Sequence, residues 1–224
     1  MCGRFTITAS PDAIRKLLAY EERPNFPPRY NVAPTQPVPI VRLEKGARHF
    51  VLVRWGLIPS WVKDPREFAL LINARAEGIA DKPSFRAAIR RRRCLVPADG
   101  FYEWQKTPRG KRPYYIRPRG GGPMAFAGLW ETWTDRDGGE MESMAIVTCP
   151  ANELLEPIHD RMPAILAPER FDAWLDAEKT DARAAAALLQ PAPENLLEAY
   201  EISTRVNSVK NDGPELVEPV APSA

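Results

Sequence analysis

Short segments in which apolar and polar residues alternate dominate the chain. Such alternation over four to eight residues is typical of β-strands with one buried face. Turn signals occur at Glu44-Lys45-Gly46, at Asp99-Gly100 within CLVPADGFYEW and at Asp137-Gly138-Gly139, and the last of these indicates a hairpin. The predicted strands lie in VPIVRL, HFVLVRWGL, CLVPADGFYEW, PYYIRP, MAFAGLWETW, SMAIVTCP and LEAYEIS.

Helical spacing occurs in only a few places. Ser10-Pro11 is an N-cap and N1 pair that predicts a helix through about Glu21. Shorter helices are predicted over 81–92, from Pro168 and from Thr180. The strands outnumber the helices and form no βαβ alternation, which predicts an α+β fold: a single mixed domain with an antiparallel, barrel-like sheet core and peripheral helices. This domain should span residues 1–224, with an irregular tail from about residue 215.

Length and composition set the class of protein. A chain of 224 residues, 44% of them hydrophobic, is long enough to bury a sizeable core. It has no run of about 18 apolar residues and no secretory signal pattern, so we expect a soluble protein. Three cysteines without metal-ligand spacing indicate reduced thiols in an intracellular setting. We therefore expect neither a metal nor a cofactor.

The charge is distributed unevenly. Residues 1–120 contain 24 Lys and Arg against 10 Asp and Glu, whereas residues 121–224 contain 7 against 19. The basic residues concentrate in Arg90–Arg93, with Arg86 just before, and in TPRGKRPYYIRPRGGG. A basic face is typical of polyanion binding. The alternative is that Arg90–Arg93 close a short helix, where cations interact favourably with the helix dipole.

Cys2 has an unusual position directly after the initiator methionine. If Met1 is removed, Cys2 carries a free α-amine beside its thiol, which makes it a 1,2-aminothiol. The two groups have ordinary pKa values of about 8 and about 8.5, so both are partly unprotonated near neutral pH. No other position in the chain offers this pair of nucleophiles.

The two histidines differ in their surroundings. His49 lies at the start of a predicted strand and is interpreted as structural. His159, in EPIHDRMP, lies in a polar, irregular stretch where a histidine is a plausible proton-transfer group. Glu103 follows Phe101 and Tyr102, and burial among such neighbours would raise its pKa; a strand residue facing solvent is the alternative.

A second polar group falls in LINARAE. Asn73, Arg75 and Glu77 alternate, so in an extended segment they face the same side, as the wall of a site or as an exposed sheet face. Cys94 and Cys149 are interpreted as buried small hydrophobic residues rather than nucleophiles.

Seven blocks resemble one protein family, in order and over nearly the whole chain. They are MCGRF, RYNVAPTQ, RWGLIPSW, INARAE, RRRCLVPADGFYEW, IVTCPANELLEPIHDRMPAIL and STRVNSVKNDGPE. Together they identify the chain as a member of the SRAP (SOS response-associated peptidase) family. The resemblance implies binding to single-stranded DNA that contains abasic sites, and covalent crosslinking to it through the N-terminal cysteine.

The resemblance also implies residue roles. The matching reactive residues are Cys2, Asn73, Glu103 and His159. The expected DNA contacts are Arg4, Asn31, Arg75, Arg86, Trp55, Trp104 and Arg161. It implies a monomer without cofactor, metal or membrane attachment, in the bacterial cytoplasm at the nucleoid or in the eukaryotic nucleus. Weak strand cleavage at abasic sites, reversal of the crosslink and self-processing at Met1 are implied as further activities.

The implied chemistry uses both nucleophiles of Cys2. The amine attacks the sugar aldehyde to form an imine, and the thiol then closes a thiazolidine ring. Our hypotheses are that Glu103 protonates the ring oxygen of the sugar, His159 transfers protons near the 3′ phosphate and Asn73 orients the sugar.

Three other functions compete with this one. A glutamine amidotransferase-like N-terminal nucleophile hydrolase also begins Met-Cys-Gly, but the Pro-rich segment and the basic half do not fit that class. A peptidase acting on other proteins and a non-catalytic DNA-binding module are the remaining alternatives.

Overall fold

The computed structural model describes residues 2–220. Met1 and residues 221–224 lie outside the described residues, and so do the predicted removal of Met1 and the end of the predicted tail. The described residues form thirteen strands: β1 Phe5–Ile7, β2 Arg29–Val32, β3 Pro37–Glu44, β4 Ala47–Trp55, β5 Asn73–Arg75, β6 Arg93–Ala98, β7 Gly100–Thr107, β8 Gly110–Pro118, β9 Met124–Thr134, β10 Glu140–Pro150, β11 Arg161–Pro163, β12 Ile165–Leu166 and β13 Leu197–Glu201.

Five of these strands close into a barrel. The order β10-β4-β3-β6-β9 returns to its start because β9 also pairs with β10. The predicted α+β fold with a barrel-like core is thereby confirmed. The sheet is not wholly antiparallel, since β10 runs parallel to both β4 and β5. The β3–β4 hairpin turns at Lys45 and Gly46, both with positive φ, as the turn signal predicted.

A second sheet, in the order β13-β8-β7-β1-β2, packs with the barrel. The chain passes from the barrel into this sheet at Asp99, so the turn predicted at Asp99-Gly100 is a corner between the two sheets. The Asp99 carboxylate accepts a hydrogen bond from the Thr8 hydroxyl at 2.8 Å and another from the Thr6 hydroxyl. A Cβ at Gly100 would lie 2.1 Å from the Tyr115 hydroxyl, which explains the glycine.

The helices are short and peripheral: α1 Pro11–Leu18, α2 Arg86–Arg91, α3 Phe171–Leu175 and α4 Ala182–Ala187. Ser10 caps α1 as predicted, with its hydroxyl accepting from the Ala13 amide at 3.2 Å. The helix ends before the predicted Glu21 because Ala19 takes the left-handed conformation. The cap of α4 is Asp181 rather than Thr180. Among residues 2–220, no helix has the length and apolar character needed to cross a bilayer.

The arginine run divides between core and surface. Arg93 is buried, and all three nitrogens of its guanidinium donate hydrogen bonds. The acceptors are the carbonyl oxygens of Trp174, Ile89, Asp176 and Thr180. Arg92 pairs with Glu131 at 2.8 Å. Only Arg90 and Arg91 are exposed. Two of the four arginines in Arg90–Arg93 are therefore held by contacts within the protein.

Candidate active site

The four predicted reactive residues come from separate parts of the fold. Cys2 precedes β1, Asn73 begins β5, Glu103 lies in β7 and His159 lies in the turn before β11. β1 pairs with β7 at Thr6–Gly100 and Phe5–Phe101, and the Tyr102 amide donates to the Arg4 carbonyl oxygen at 3.0 Å, so the residues before β1 run along the edge of β7 toward Glu103. The site forms at this edge.

Asn73 contacts the backbone of Cys2. Its side-chain amide donates a hydrogen bond of 2.9 Å to the Cys2 carbonyl oxygen. Its Oδ1 atom is buried and has no hydrogen-bond partner among the described residues. A buried acceptor without a partner is costly, and here it offers a site for a donor from a bound molecule.

The Cys2 thiol is fully buried in the hydrophobic core cluster. Burial raises the pKa of this thiol well above its ordinary value, and the charge of Glu103 raises it further. The sulfur is therefore a neutral thiol at physiological pH, and its proton has to leave when a bond to sulfur forms.

Glu103 is also buried, with 2% of its surface exposed. Loss of solvation raises its pKa from 4.5 to about 7. A carboxyl group with this pKa is both a proton donor and a proton acceptor near neutral pH. Of the two alternatives left open by the sequence, the structure shows a buried Glu103 and not a side chain facing solvent.

His159 lies beside Glu103, with Nε2 3.9 Å from the Glu103 carboxylate oxygen. The Arg161 backbone amide donates to His159 Nδ1 at 3.0 Å, which directs the proton of the neutral ring to Nε2, toward Glu103. Burial lowers the pKa of His159 below 6.5, so the ring is neutral at pH 7. Asp160, 87% exposed in its side chain, lies 3.0 Å from Nδ1 on the outer side.

An open pocket of about 370 Å³ gives access to Glu103 and His159. Its wall consists of Glu103, Trp104, Lys106, Lys111, His159 and Asn207. The sequence assigned no role to Lys106 or Asn207, and it included Lys111 only as part of the basic segment TPRGKRPYYIRPRGGG. The strand pattern could have placed both lysines beside Trp104. Lys106 follows Trp104 by two residues and so shares its face of the strand, and Lys111 stands opposite Lys106 in the hairpin.

Asn31 is a correction to the predicted DNA contacts. It is buried, and its side-chain amide donates to the carbonyl oxygens of Val206, Ser208 and Asn211 at 2.8–3.2 Å. Its Oδ1 accepts from the Arg4 guanidinium at 2.9 Å. Asn31 thus holds the loop that follows β13 and has no free group for DNA.

Trp55 is a second correction. It has no exposed surface, donates from its indole to the Ile72 carbonyl at 2.9 Å and packs edge-on against Phe5. The burial follows from its place at the end of β4, beside the parallel strand β10. In the same sequence block it is Trp61, 56% exposed, that lies at the surface.

The other predicted DNA contacts remain predictions. Arg75 and Arg86 are exposed. Arg161 is 9% exposed and forms a two-pronged ion pair with Glu77, with one N–O distance of 2.8 Å. Arg4 is partly buried and donates to Asn31 and to the Val206 carbonyl oxygen.

The fold and the site define a class: barrel proteins with a second-position cysteine, an asparagine, a buried carboxyl group and a histidine beside a basic pocket. The chain belongs to the SOS response associated peptidase (SRAP) family, whose model matches residues 1–209.

Known proteins agree with this assignment. The chain is 41% identical to abasic site processing protein YoqW of Bacillus subtilis, over 97% of this chain and 99% of that protein. It is 34% identical to abasic site processing protein YedK of Escherichia coli, over 98% and 100%. A crystal structure of a Bacteroides thetaiotaomicron protein superposes with a TM-score of 0.88 at 28% identity, covering 98% of this chain and all of that one.

Proposed function

We propose that this protein recognises abasic sites in single-stranded DNA and forms a covalent crosslink to them through Cys2. The observation that carries the proposal is the geometry around Cys2: Asn73 donates to its carbonyl oxygen at 2.9 Å, and a buried Glu103 lies 3.9 Å from His159 Nε2 at an open pocket. The printed names of the relatives, abasic site processing proteins, support the same substrate.

The reaction starts once Met1 has been removed. The α-amine of Cys2 attacks the aldehyde carbon of the opened sugar, and loss of water gives an imine. The sulfur then bonds to the same carbon while the thiol proton is lost and the imine nitrogen gains one. Aldehyde and aminothiol thus become a thiazolidine and one water molecule.

Glu103 and His159 move the protons. Glu103 in its acid form protonates the ring oxygen when the sugar opens, and in its carboxylate form accepts the thiol proton. The neutral His159 exchanges a proton through Nε2 with Glu103 or with the sugar phosphate. Asn73 positions Cys2 through its carbonyl, and its second side-chain atom, Oδ1, accepts a hydrogen bond from the sugar.

Weak strand cleavage and reversal of the crosslink follow from the same intermediate. An imine permits β-elimination at the neighbouring phosphate, and Glu103 in its acid form protonates the ring to reopen it. Removal of Met1 by the protein itself is the peptidase activity that we propose, with no other protein as substrate. An unpaired strand is preferred because its lesion needs no unstacking or unpairing energy.

The test uses protein whose intact mass shows that Met1 is absent. It is incubated with a single-stranded oligonucleotide containing one abasic site, heated, and run on a denaturing gel beside an undamaged oligonucleotide. We expect a heat-stable shifted band only with the abasic strand, and none with Cys2→Ala.

Cys2→Ser is the matched control, because it keeps the α-amine and loses the sulfur. We expect it to form an imine that borohydride traps, but no heat-stable band without reduction. A heat-stable band formed by Cys2→Ser without borohydride would overturn the proposed thiazolidine. No covalent product from the wild type would overturn the proposed function.

A further inference from the structure

We propose that one face of the β7–β8 hairpin, formed by Trp104, Lys106 and Lys111, extends the DNA contact from the wall of the reactive pocket along the flanking single strand. It binds the phosphates and bases of the single strand on one side of the lesion. The identity of this ligand as DNA rests on the proposed function.

The strand register brings the three side chains together. In β7 and β8, Lys106 stands opposite Lys111 and Trp104 stands opposite Pro113. Side chains two residues apart in a strand share a face, and directly opposed residues share it too. One face of the hairpin therefore presents an aromatic ring followed by two ammonium groups.

The pairing of two lysines is unfavourable by itself. Like charges directly opposite each other on antiparallel strands destabilise the sheet. Among residues 2–220, neither Lys106 nor Lys111 has an ion pair or side-chain hydrogen bond, and both are exposed. A bound anion would relieve the repulsion, whereas a purely structural role would favour an acidic partner.

The opposite face of the hairpin is anchored to the protein. Gln105 donates to the Pro157 carbonyl at 3.0 Å, and the Tyr114 hydroxyl contacts Gln105 at 3.5 Å. Arg112, on this face, lies 3.8 Å from Glu201. The two faces differ: the polar side chains of the anchored face have partners, whereas Lys106 and Lys111 have none among residues 2–220.

Trp104 links the lysine face to the reactive pocket. Its indole donates to Asn207 Oδ1 at 2.8 Å, which holds the ring at the pocket wall. Lys106 and Glu103 are three residues apart and so start from opposite faces of β7, and the pocket reaches around the strand to both side chains. Burial is the main cause of the lowered pKa of His159, and the positive charge of Lys106 contributes to it. The ammonium group of Lys106 is therefore close enough to act on His159.

An aromatic ring next to cations is the usual composition of a single-strand binding surface. Bases stack on the ring whatever their sequence, and the cations contact the backbone. Arg109, at the turn of the hairpin, continues the basic surface outward. We infer that the strand leaves the pocket over Trp104 and continues along Lys106 and Lys111.

The test measures non-covalent binding of the double variant Lys106→Gln/Lys111→Gln. The background is Cys2→Ala, and the probe is a single strand with a stable abasic analogue that lacks the aldehyde. Two lost phosphate contacts should lower the slope of log K against log salt by about 1.4 and weaken binding roughly 20-fold at 0.1 M salt. The double variant Lys16→Gln/Arg183→Gln, with the same charge change at exposed sites on helices α1 and α4, should leave the slope within about 0.3.

Oligonucleotides with a flank on only the 5′ or only the 3′ side of the lesion identify the side. We expect the lysine variant to weaken binding of one of them and to leave the other unchanged. Equal losses on both, or the same slope change in the control variant, would mean general charge attraction and overturn the inference.

The covalent assay separates the two proposals. Crosslinking is measured with the wild type, in which both lysines are present. If the lysine variant has an unchanged salt slope and the wild type forms the crosslink, only the proposed hairpin contact is overturned. If the lysine variant has a lower salt slope and the wild type forms no crosslink, only the proposed covalent reaction is overturned.

Discussion

The side-chain amide of Asn73 donates a 2.9 Å hydrogen bond to the backbone carbonyl of Cys2. A residue 71 positions further along the chain thus holds the segment that carries the nucleophiles. An N-terminal segment is ordinarily poorly ordered unless it is tied down. Replacing the encounter of two mobile groups by a fixed geometry is a large source of rate enhancement.

Removal of this hydrogen bond should slow the reaction more than it weakens binding. We expect Asn73→Ala to reduce the single-turnover rate of crosslinking by about 10- to 100-fold, because small displacements of a nucleophile cost that much. Binding of the abasic analogue should change by less than about threefold, which is under 1 kcal/mol. A loss of binding equal to the loss of rate would contradict a positioning role.

Glu103 should make stability depend on pH. Its folded-state pKa is raised from 4.5 to about 7, so the folded state holds a proton that the unfolded state has already lost between these values. The free energy of unfolding should therefore fall as pH rises from about 4.5 to 7, by on the order of 3 kcal/mol.

Glu103→Gln isolates this contribution, because the amide does not titrate. Urea denaturation is measured at pH 5 and pH 8. Between these two pH values, we expect the free energy of unfolding to fall more for the wild type than for Glu103→Gln. His159 acts in the opposite sense, since its lowered pKa removes stability as pH falls through 6.5, and it is common to both proteins. Parallel pH profiles for wild type and variant would contradict the raised pKa of Glu103.

The two tryptophans Trp55 and Trp104 should separate stability from binding. Trp55→Ala removes a fully buried ring and should cost about 3–5 kcal/mol of unfolding free energy. Trp104→Ala should cost about 1–3 kcal/mol of binding to single-stranded DNA, the usual contribution of a stacked base. Thermal unfolding measures the stability of both variants, and fluorescence anisotropy measures their binding to DNA. A Trp55→Ala protein that is as stable as the wild type but binds DNA less tightly would contradict the structural role of Trp55.

The arginine run should divide in the same way. Arg93→Ala leaves buried carbonyl oxygens without donors and should destabilise the protein by about 3 kcal/mol or more. Arg90→Ala, on the exposed side of α2, should change stability by less than about 0.5 kcal/mol. Chemical denaturation of both variants provides the comparison, and equal effects would contradict the division of the run.

Local sequence signals were sufficient where the physics is local. The turn at Lys45-Gly46, the hairpin between β9 and β10 and the Ser10 cap depend on a few adjacent residues, and each was predicted correctly. The low helix content and the absence of βαβ order likewise predicted the fold class. The burial of Cys94 and Cys149 was expected from residue type and is observed.

The same signals were insufficient where depth matters. Alternation tells which side chains share a face of a strand, but not which distant segment covers that face. Trp55 and Asn31 appeared as surface candidates and are buried, because β10 pairs beside Trp55 and the loop after β13 closes over Asn31.

What the sequence by itself determined is the longer strands, the start of helix α1 and the candidate reactive residues. What only the tertiary structure decided is the closure of the barrel through β9 and β10, the corner at Asp99, and the meeting of Cys2 with Asn73 and of Glu103 with His159. These depend on contacts between residues far apart in the chain. The solvation of a side chain, and with it the pKa of Glu103, is set by those contacts and not by its neighbours in sequence.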